Sequence, residues 1–102
     1  MGAKKKHIFT YETNRNAELG LVISASARIE ILEYLDNHQI MNIPMLEQFI
    51  RLHKKTLNHH VNLIERSGLI KGFYLGNTYF WSKNEDLLEE WDKIRWAFTT
   101  RG

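Results

Sequence analysis

The first half of the chain carries apolar residues at helical spacing. A stripe from Ile29 to Leu35 predicts a first helix, and either Ser24 or Ser26 can cap its N-terminus. The turn-forming residues 36–38 end this helix, and Pro44, which a first helical turn tolerates, begins a second one. The second helix turns three apolar side chains inward: Leu46, Phe49 and Ile50.

Residues 54–67 predict a third helix with two contrasting faces. Leu57, Val61 and Ile64 share one face at i, i+4, i+7 spacing, and Gly68 follows as a C-cap glycine. The opposite face is polar and without an acid, and its residues are Lys55, Asn58, His59, Asn62 and Arg66. Such a face is suited to a negatively charged partner.

The last third of the chain predicts a β-hairpin followed by one helix. Residues 69–75 and 78–81 are rich in aromatic and β-branched residues and flank Gly76-Asn77, a pair suited to a two-residue turn. Asn84 can cap a helix over residues 84–99. The helix carries acids that we expect to be solvated, among them Glu90. Its heptad-like apolar stripe consists of Leu87, Trp91, Ile94 and Phe98.

Composition favours one domain with a basic segment. The 102 residues suffice for one hydrophobic core, and no cysteine is present for a disulfide, a thiolate metal site or a nucleophile. The net charge is only +2. Residues 51–74, however, contain five of the 14 Lys and Arg residues and a single acid. This segment is either a phosphate-contacting surface or a solvated helix face.

The predicted order of helix, helix, short turn, helix and hairpin is that of a winged helix-turn-helix. Residues 28–32, Arg28-Ile29-Glu30-Ile31-Leu32, resemble the first-helix motif of the ArsR family. Residues 52–61 and 67–70 resemble its recognition helix and the exit into the wing, and residues 76–80 its wing turn. The resemblance spans residues 24–82. It implies a mainly α (α+β) fold with a two-stranded β-hairpin wing, flanked by N- and C-terminal dimerisation helices.

By this resemblance the protein is a sequence-specific DNA-binding transcriptional regulator, a dimeric repressor of the ArsR type without the usual cysteine metal-sensing site. Its recognition helix spans residues 54–67, its wing 69–82 and its dimerisation helix 84–99. The implied DNA-binding residues are Lys54, Lys55, Thr56, Asn58, His59, Asn62 and Arg66. Phosphate contacts come from the first three, and base contacts from the asparagines and His59. The implied dimer interface consists of Leu87, Trp91, Ile94 and Phe98.

Three positions and the wing tip depart from the ArsR pattern. Arg51 stands where the family usually has glycine, Phe49 where it often has a small residue, and His53 where it has a serine cap. The wing tip, residues 75–78, lacks the Arg or Lys that commonly reaches the minor groove. Contact between the wing and DNA is therefore an open question. The alternative function is a winged helix that has become a protein-interaction module.

Metal and enzyme chemistry have little support in the sequence. His59 and His60 are adjacent, so on a helix their side chains point about 100° apart and do not chelate one ion together. His60 is predicted to be a half-buried hydrogen-bonding residue. Because no phosphate-cradling glycine loop, nucleophile elbow or paired carboxylates with a base are found, we expect no enzyme, no cofactor and no metal site.

Residues 1–16 are predicted to form a basic arm before the winged helix-turn-helix domain of residues 17–102. Lys4 to Lys6 either contact DNA or are mobile, and residues 8–11 suit a short strand or an apolar anchor. No apolar run approaches the roughly 20 residues that span a bilayer, and no signal-peptide pattern follows Met1. We therefore expect a cytoplasmic protein.

Overall fold

A computed structural model of the protein describes residues 11–100, which contain six α-helices and a small antiparallel sheet. The helices are α1 (Tyr11–Val22), α2 (Ser26–His38), α3 (Ile43–Phe49), α4 (Lys54–Arg66), α5 (Leu88–Ile94) and α6 (Trp96–Thr100). The strands are β1 (Ile40–Met41), β2 (Ile70–Leu75) and β3 (Thr78–Lys83), and a 3₁₀ turn, Glu85–Leu87, precedes α5.

Helices α2, α3 and α4 form the helix-turn-helix, and their apolar stripes meet in one core. The fully buried side chains of these three helices are Ile31, Leu32, Leu35, Leu46, Leu57, Val61 and Ile64. Asn42 caps α3 by accepting a hydrogen bond from the Met45 amide at 2.9 Å, and Pro44 lies in the first turn as predicted. Helix α4, predicted over residues 54–67, ends at Arg66, and Gly68 follows with a left-handed φ of 86°.

Helix α2 continues three residues beyond its predicted end near Leu35. Residues 36–38 remain helical, and the chain turns at Gln39, which has a φ of 71° and donates its amide to the Leu35 carbonyl. The next residues, Ile40–Met41, then form β1, which pairs with β3 in a three-stranded sheet of order β1-β3-β2. The predicted two-stranded wing is present, with one further strand beside it.

The hairpin has the predicted two-residue turn. Leu75 pairs with Thr78, and Gly76 has a φ of 61°, as a turn with glycine at its first central position requires. Trp81 is buried and donates its indole N–H to a Glu65 carboxylate oxygen of α4 at 3.3 Å. The wing is thereby packed against helix α4.

The C-terminal segment differs from the single helix predicted over residues 84–99. Asn84 caps a 3₁₀ turn, and the α-helical segments α5 and α6 are separated at Arg95. Trp91 is fully buried and donates its indole N–H to the Leu69 carbonyl at 2.9 Å, while Ile94 is 2% exposed. The predicted dimer interface is therefore wrong for Trp91 and Ile94, because both side chains belong to the core of their own chain. For Leu87 and Phe98 it stays a prediction.

Helix α1 runs across the predicted boundary at residue 16. It begins at Tyr11, and its Leu19 and Val22 are buried in the core. The basic arm therefore does not extend to residue 16, because helix α1 packs on the rest of the domain. The predictions for Lys4 to Lys6 and for residues 8–10 lie outside the described residues. Among residues 11–100, no helix is long and apolar enough to cross a membrane.

Candidate nucleic-acid interface

Helix α4 presents an exposed ridge that consists of Lys55, His59, Asn62 and Arg66. These residues follow one another at i, i+4, i+7 and i+11, so they lie along one side of a helix about 20 Å long. The opposite side is fixed by Leu57, Val61 and Ile64, each with 0% exposure. The apolar contacts thus turn the ridge outward.

The N-terminus of α4 is capped by a histidine. The Nδ1 atom of His53 accepts a hydrogen bond from the Lys55 amide at 3.1 Å, which is the role that the usual serine cap performs. Lys54 and Thr56, in this first turn, are exposed. Two lysine side chains and a hydroxyl are therefore available beside the helix N-terminus, where the helix dipole also favours an anion.

Asn58 is placed differently from the other predicted site residues. Its side chain is half-buried, and its Nδ2 atom donates to the Lys54 carbonyl at 3.1 Å. To pair with an adenine edge, the amide must rotate away from the helix backbone. Six of the seven predicted residues are therefore exposed as they stand, and Asn58 requires this rearrangement.

The flank of α4 that faces the wing borders an open groove of about 460 Å³. The groove is lined by uncharged residues of α4, the wing and the segment that begins α3: Asn42, Ile43, Pro44, Asn58, Asn77, Thr78, Tyr79 and Trp81. Glu65 is the one acid of α4, and sequence reasoning did not place it; its half-buried carboxylate accepts the Trp81 indole N–H. That hydrogen bond holds Glu65 on the wing flank, beside the ridge.

The other flank of α4 contains His60, which is half-buried as predicted. Its Nδ1 atom lies 3.1 Å from Nη1 of Arg28 in α2. Burial lowers the pKa of His60 below its ordinary value of 6.5, and the positive charges of Arg28 and His59 lower it further. The imidazole is therefore neutral near pH 7.

Arg28 is a buried residue whose structural role sequence reasoning missed. Its exposure is 7%, and its guanidinium donates to the carbonyls of Val22 and Leu21, both at 2.9 Å, and to the Ser24 hydroxyl at 3.0 Å. The resemblance included Arg28 in a motif but gave it no contact. The signal was a cation among apolar positions in the stripe of α2.

Solved structures share the fold of this chain. An ArsR family transcriptional regulator superposes with a TM-score of 0.66 at 13% identity, over 82% of this chain and 84% of its own. An ArsR-like transcriptional regulator from Rhodococcus sp. RHA1 gives 0.69 at 17% identity, over 91% and 85%. HlyU from Vibrio cholerae gives 0.66 at 21% identity, over 85% and 96%. The chain has the ArsR-type winged-helix fold. No protein-family profile matches the sequence, and a search of curated proteins gave no relative.

Within the ArsR-type fold, this chain accommodates its unusual residues without distortion. The expectation that Phe49 faces inward is wrong: its ring is 65% exposed and lies 5.3 Å from the Tyr34 ring and 5.9 Å from the His38 ring, so it turns towards α2 instead of α4. Among the described non-glycine residues, only Gln39 has a positive φ. The interhelical turn therefore does not require glycine at Arg51.

The structure also places the adjacent histidines of α4 and the acid Glu90 of α5. The rings of His59 and His60 meet edge to face with centroids 5.7 Å apart, and no group of three potential metal ligands occurs among the residues that the structure describes. Glu90, predicted to be solvated, is largely buried and lies 3.9 Å from the Arg15 guanidinium. Arg15 in turn donates to the Ser67 carbonyl, at the C-terminal end of α4.

Proposed function

We propose that the protein is a cytoplasmic, sequence-specific DNA-binding transcriptional regulator that acts as a homodimeric repressor. The observation that supports this most is the exposed ridge of α4, cationic and amide-bearing, on a helix whose other side is fixed by the core. The structural neighbours are themselves named as transcriptional regulators. In a winged helix-turn-helix this helix enters the major groove, which is about 12 Å wide.

In this proposal the first turn of α4 binds phosphates and the ridge reads bases. Lys54, Lys55 and Thr56 contact the backbone, and each cation that neutralises a phosphate releases counterions. His59 and Asn62 face base edges, and Asn58 joins them when its amide leaves the Lys54 carbonyl. Arg66 lies at the far end of the ridge and contacts the backbone at the periphery of the site.

We propose that the wing contributes through neutral hydrogen bonds. When α4 occupies the major groove, the adjoining sugar–phosphate strand passes along the flank that faces the wing. Asn77 and Thr78 are exposed at the edge of the uncharged groove on that flank. Amide and hydroxyl donors make phosphate contacts that position a protein on DNA without neutralising charge.

We propose that the dimer forms through α1 and the C-terminal helices, as the resemblance implies. The exposed apolar side chains of these elements are Leu21, Leu88 and Trp96. Leu87 and Phe98 are half-buried and stay predicted contacts at the edge of that interface. A two-fold axis would place the recognition helices roughly 34–36 Å apart on a pseudo-palindrome.

The direct test is fluorescence anisotropy on DNA upstream of the protein's own gene, across a salt series. Wild type should bind with a salt-dependent affinity, and Lys55→Glu should weaken binding at least about tenfold and flatten the salt slope. Lys93→Glu, at an exposed lysine of α5, is the matched control, and size-exclusion chromatography confirms that both variants keep the oligomeric state of wild type. Absence of salt-dependent binding to any fragment would refute the proposal, as would equal effects of the two substitutions.

A protein-interaction module is the second candidate function. The exposed Phe49 ring, which contacts Tyr34 and His38 away from the ridge, favours it. This function predicts a stable complex with a partner protein, isolated by pull-down from native lysate, that Phe49→Ala abolishes and Lys55→Glu leaves intact. Loss of the complex in Lys55→Glu would instead assign the contact to the ridge.

A further inference from the structure

Arg28 connects three parts of the fold that meet at one point. Its guanidinium bonds the last carbonyls of α1, Leu21 O and Val22 O, and the Ser24 hydroxyl between α1 and α2. Its remaining nitrogen, Nη1, faces His60 Nδ1 of α4. One buried side chain therefore joins α1, α2 and the helix that carries the ridge.

The chemistry of this contact fixes the state of the imidazole. A guanidinium has only donors and stays charged in proteins. His60 Nδ1 must therefore be an acceptor, which requires a neutral ring with its proton on Nε2. A protonated ring would place an N–H and a positive charge against Arg28, so the contact would be lost.

The contact also adds a directional restraint to the apolar packing that turns the ridge outward. Leu57, Val61 and Ile64 hold α4 on the core, but hydrophobic contacts are non-directional. The Arg28–His60 hydrogen bond lies on one flank of α4, next to His59 on the ridge. It resists rotation of the helix about its axis, which would turn the ridge away from a fixed direction.

We propose that Arg28 is a positioning residue that sets the rotation of α4 through neutral His60, so that protonation of His60 releases the ridge and weakens DNA binding. This inference rests on the proposed function. It assigns His60 no contact with DNA, and it links α1, a dimerisation helix by resemblance, to the recognition helix. Arg15 provides a second link between the same two helices, at Ser67.

The charged groups that act on His60 are Arg28, from α2, and His59, on α4 itself. Both oppose protonation, and burial opposes it more strongly than either. The pKa of His60 therefore lies below 6.5, and the contact is intact at neutral pH and is lost in acid. His59 and His53 are further histidines of the same helix and its cap, so the contribution of His60 has to be isolated by substitution.

The test compares wild type with His60→Asn, because Asn places an amide oxygen near the Nδ1 position and accepts at every pH. Affinity for the DNA is measured at about pH 7.5 and about pH 5.5, with circular dichroism confirming that both proteins stay folded. We expect His60→Asn to bind within about threefold of wild type at the higher pH. On acidification, wild type should lose more affinity than His60→Asn, by up to about tenfold, because a pKa below 6.5 in the DNA-free protein allows at most about ten protonated rings for each neutral one at pH 5.5.

His59→Asn is the matched control, since it removes the neighbouring imidazole from the exposed ridge. His59→Asn should still lose affinity for DNA in acid, whereas His60→Asn should not. If His60→Asn loses affinity in acid as steeply as wild type, or if only His59→Asn abolishes the loss, the positioning role is wrong.

A second readout needs no DNA and separates the two proposals. Nitrogen-15 NMR of the imidazoles should show His60 of wild type protonated on Nε2 alone near pH 7, and a changed tautomer ratio in Arg28→Met, which removes the donor that faces Nδ1. A His60 with its proton on Nδ1 would overturn the inference. If the tautomer is as expected but no DNA binds at either pH, the proposed function fails while the Arg28–His60 contact stands.

Discussion

The two flanks of helix α4 are held in different ways. On the α2 flank, Arg28, with 7% exposure, makes four polar contacts that reach α1, Ser24 and α4. On the wing flank, one indole donates to Glu65 at 3.3 Å beside an open groove, and Tyr74 nearer the wing tip is 70% exposed. We conclude that helix α4 is fixed mainly by the other helices, and we expect the wing to be the adaptable side.

The largest expected effect is on stability and concerns the α2 flank. Arg28→Ala removes a charged donor from one buried and three part-buried acceptors and should lower the free energy of unfolding by about 2–3 kcal/mol. Urea unfolding followed by circular dichroism measures it. Glu65→Gln on the wing flank is the comparison and should cost less than about 1 kcal/mol. Equal losses would mean that the two flanks hold α4 equally.

A glycine substitution tests whether the wing adapts. A Cβ at Gly72 would overlap the hydroxyl end of Tyr79, which is 36% exposed at the sheet surface. Because that ring can swing outward, Gly72→Ala should cost only about 1 kcal/mol. A loss above about 3 kcal/mol in urea unfolding would show that the wing is as rigid as the helical core.

The wing tip should change DNA affinity without changing its salt dependence. The double substitution Asn77→Ala, Thr78→Val removes neutral donors and should weaken binding about fivefold, since each hydrogen bond contributes roughly 1 kcal/mol or less. The salt slope should stay that of wild type, whereas Lys55→Ala should reduce it by about 0.9. Asn37→Ala, an exposed asparagine of α2, is the control. A flattened slope in the wing variant would contradict neutral contacts.

The smallest expected effect is the dependence of stability on pH. Because the pKa of His60 is lower in the folded chain than its ordinary 6.5, the unfolded chain binds more protons between these two values. Stability from His60 is therefore complete above about pH 6.5 and declines as the pH falls towards the folded pKa. Urea midpoints measured across this range should decline less in His60→Asn. Parallel curves would contradict the neutral state of His60.

The sequence predicted those parts of the fold whose signal lies within a single helix or turn. The amphipathic pattern of residues 54–67 placed α4 within one residue of its end, and Gly76-Asn77 placed the hairpin turn, because both patterns are contained in a few consecutive residues. The two residues of β1 are too few for any periodicity to indicate a strand.

Features that depend on distant packing were not predictable in the same way. The stripe containing Trp91 and Ile94 has the same spacing whether it faces the core or a partner, and only tertiary contacts decide that both are buried. Arg28 is similar, since its acceptors lie in α1 and α4. The ridge was predicted because exposure follows from helix periodicity. The position of the Glu65 side chain was not, because it depends on a hydrogen bond from Trp81, 16 residues away.

The most direct test of the central claim is NMR mapping of backbone amides during titration with operator DNA. We expect the largest shifts along α4, at Lys55, His59, Asn62 and Arg66, and smaller ones at the wing turn. Shifts confined to the region around Phe49 and Tyr34, with α4 unperturbed, would contradict the assignment of α4 as the DNA-binding helix.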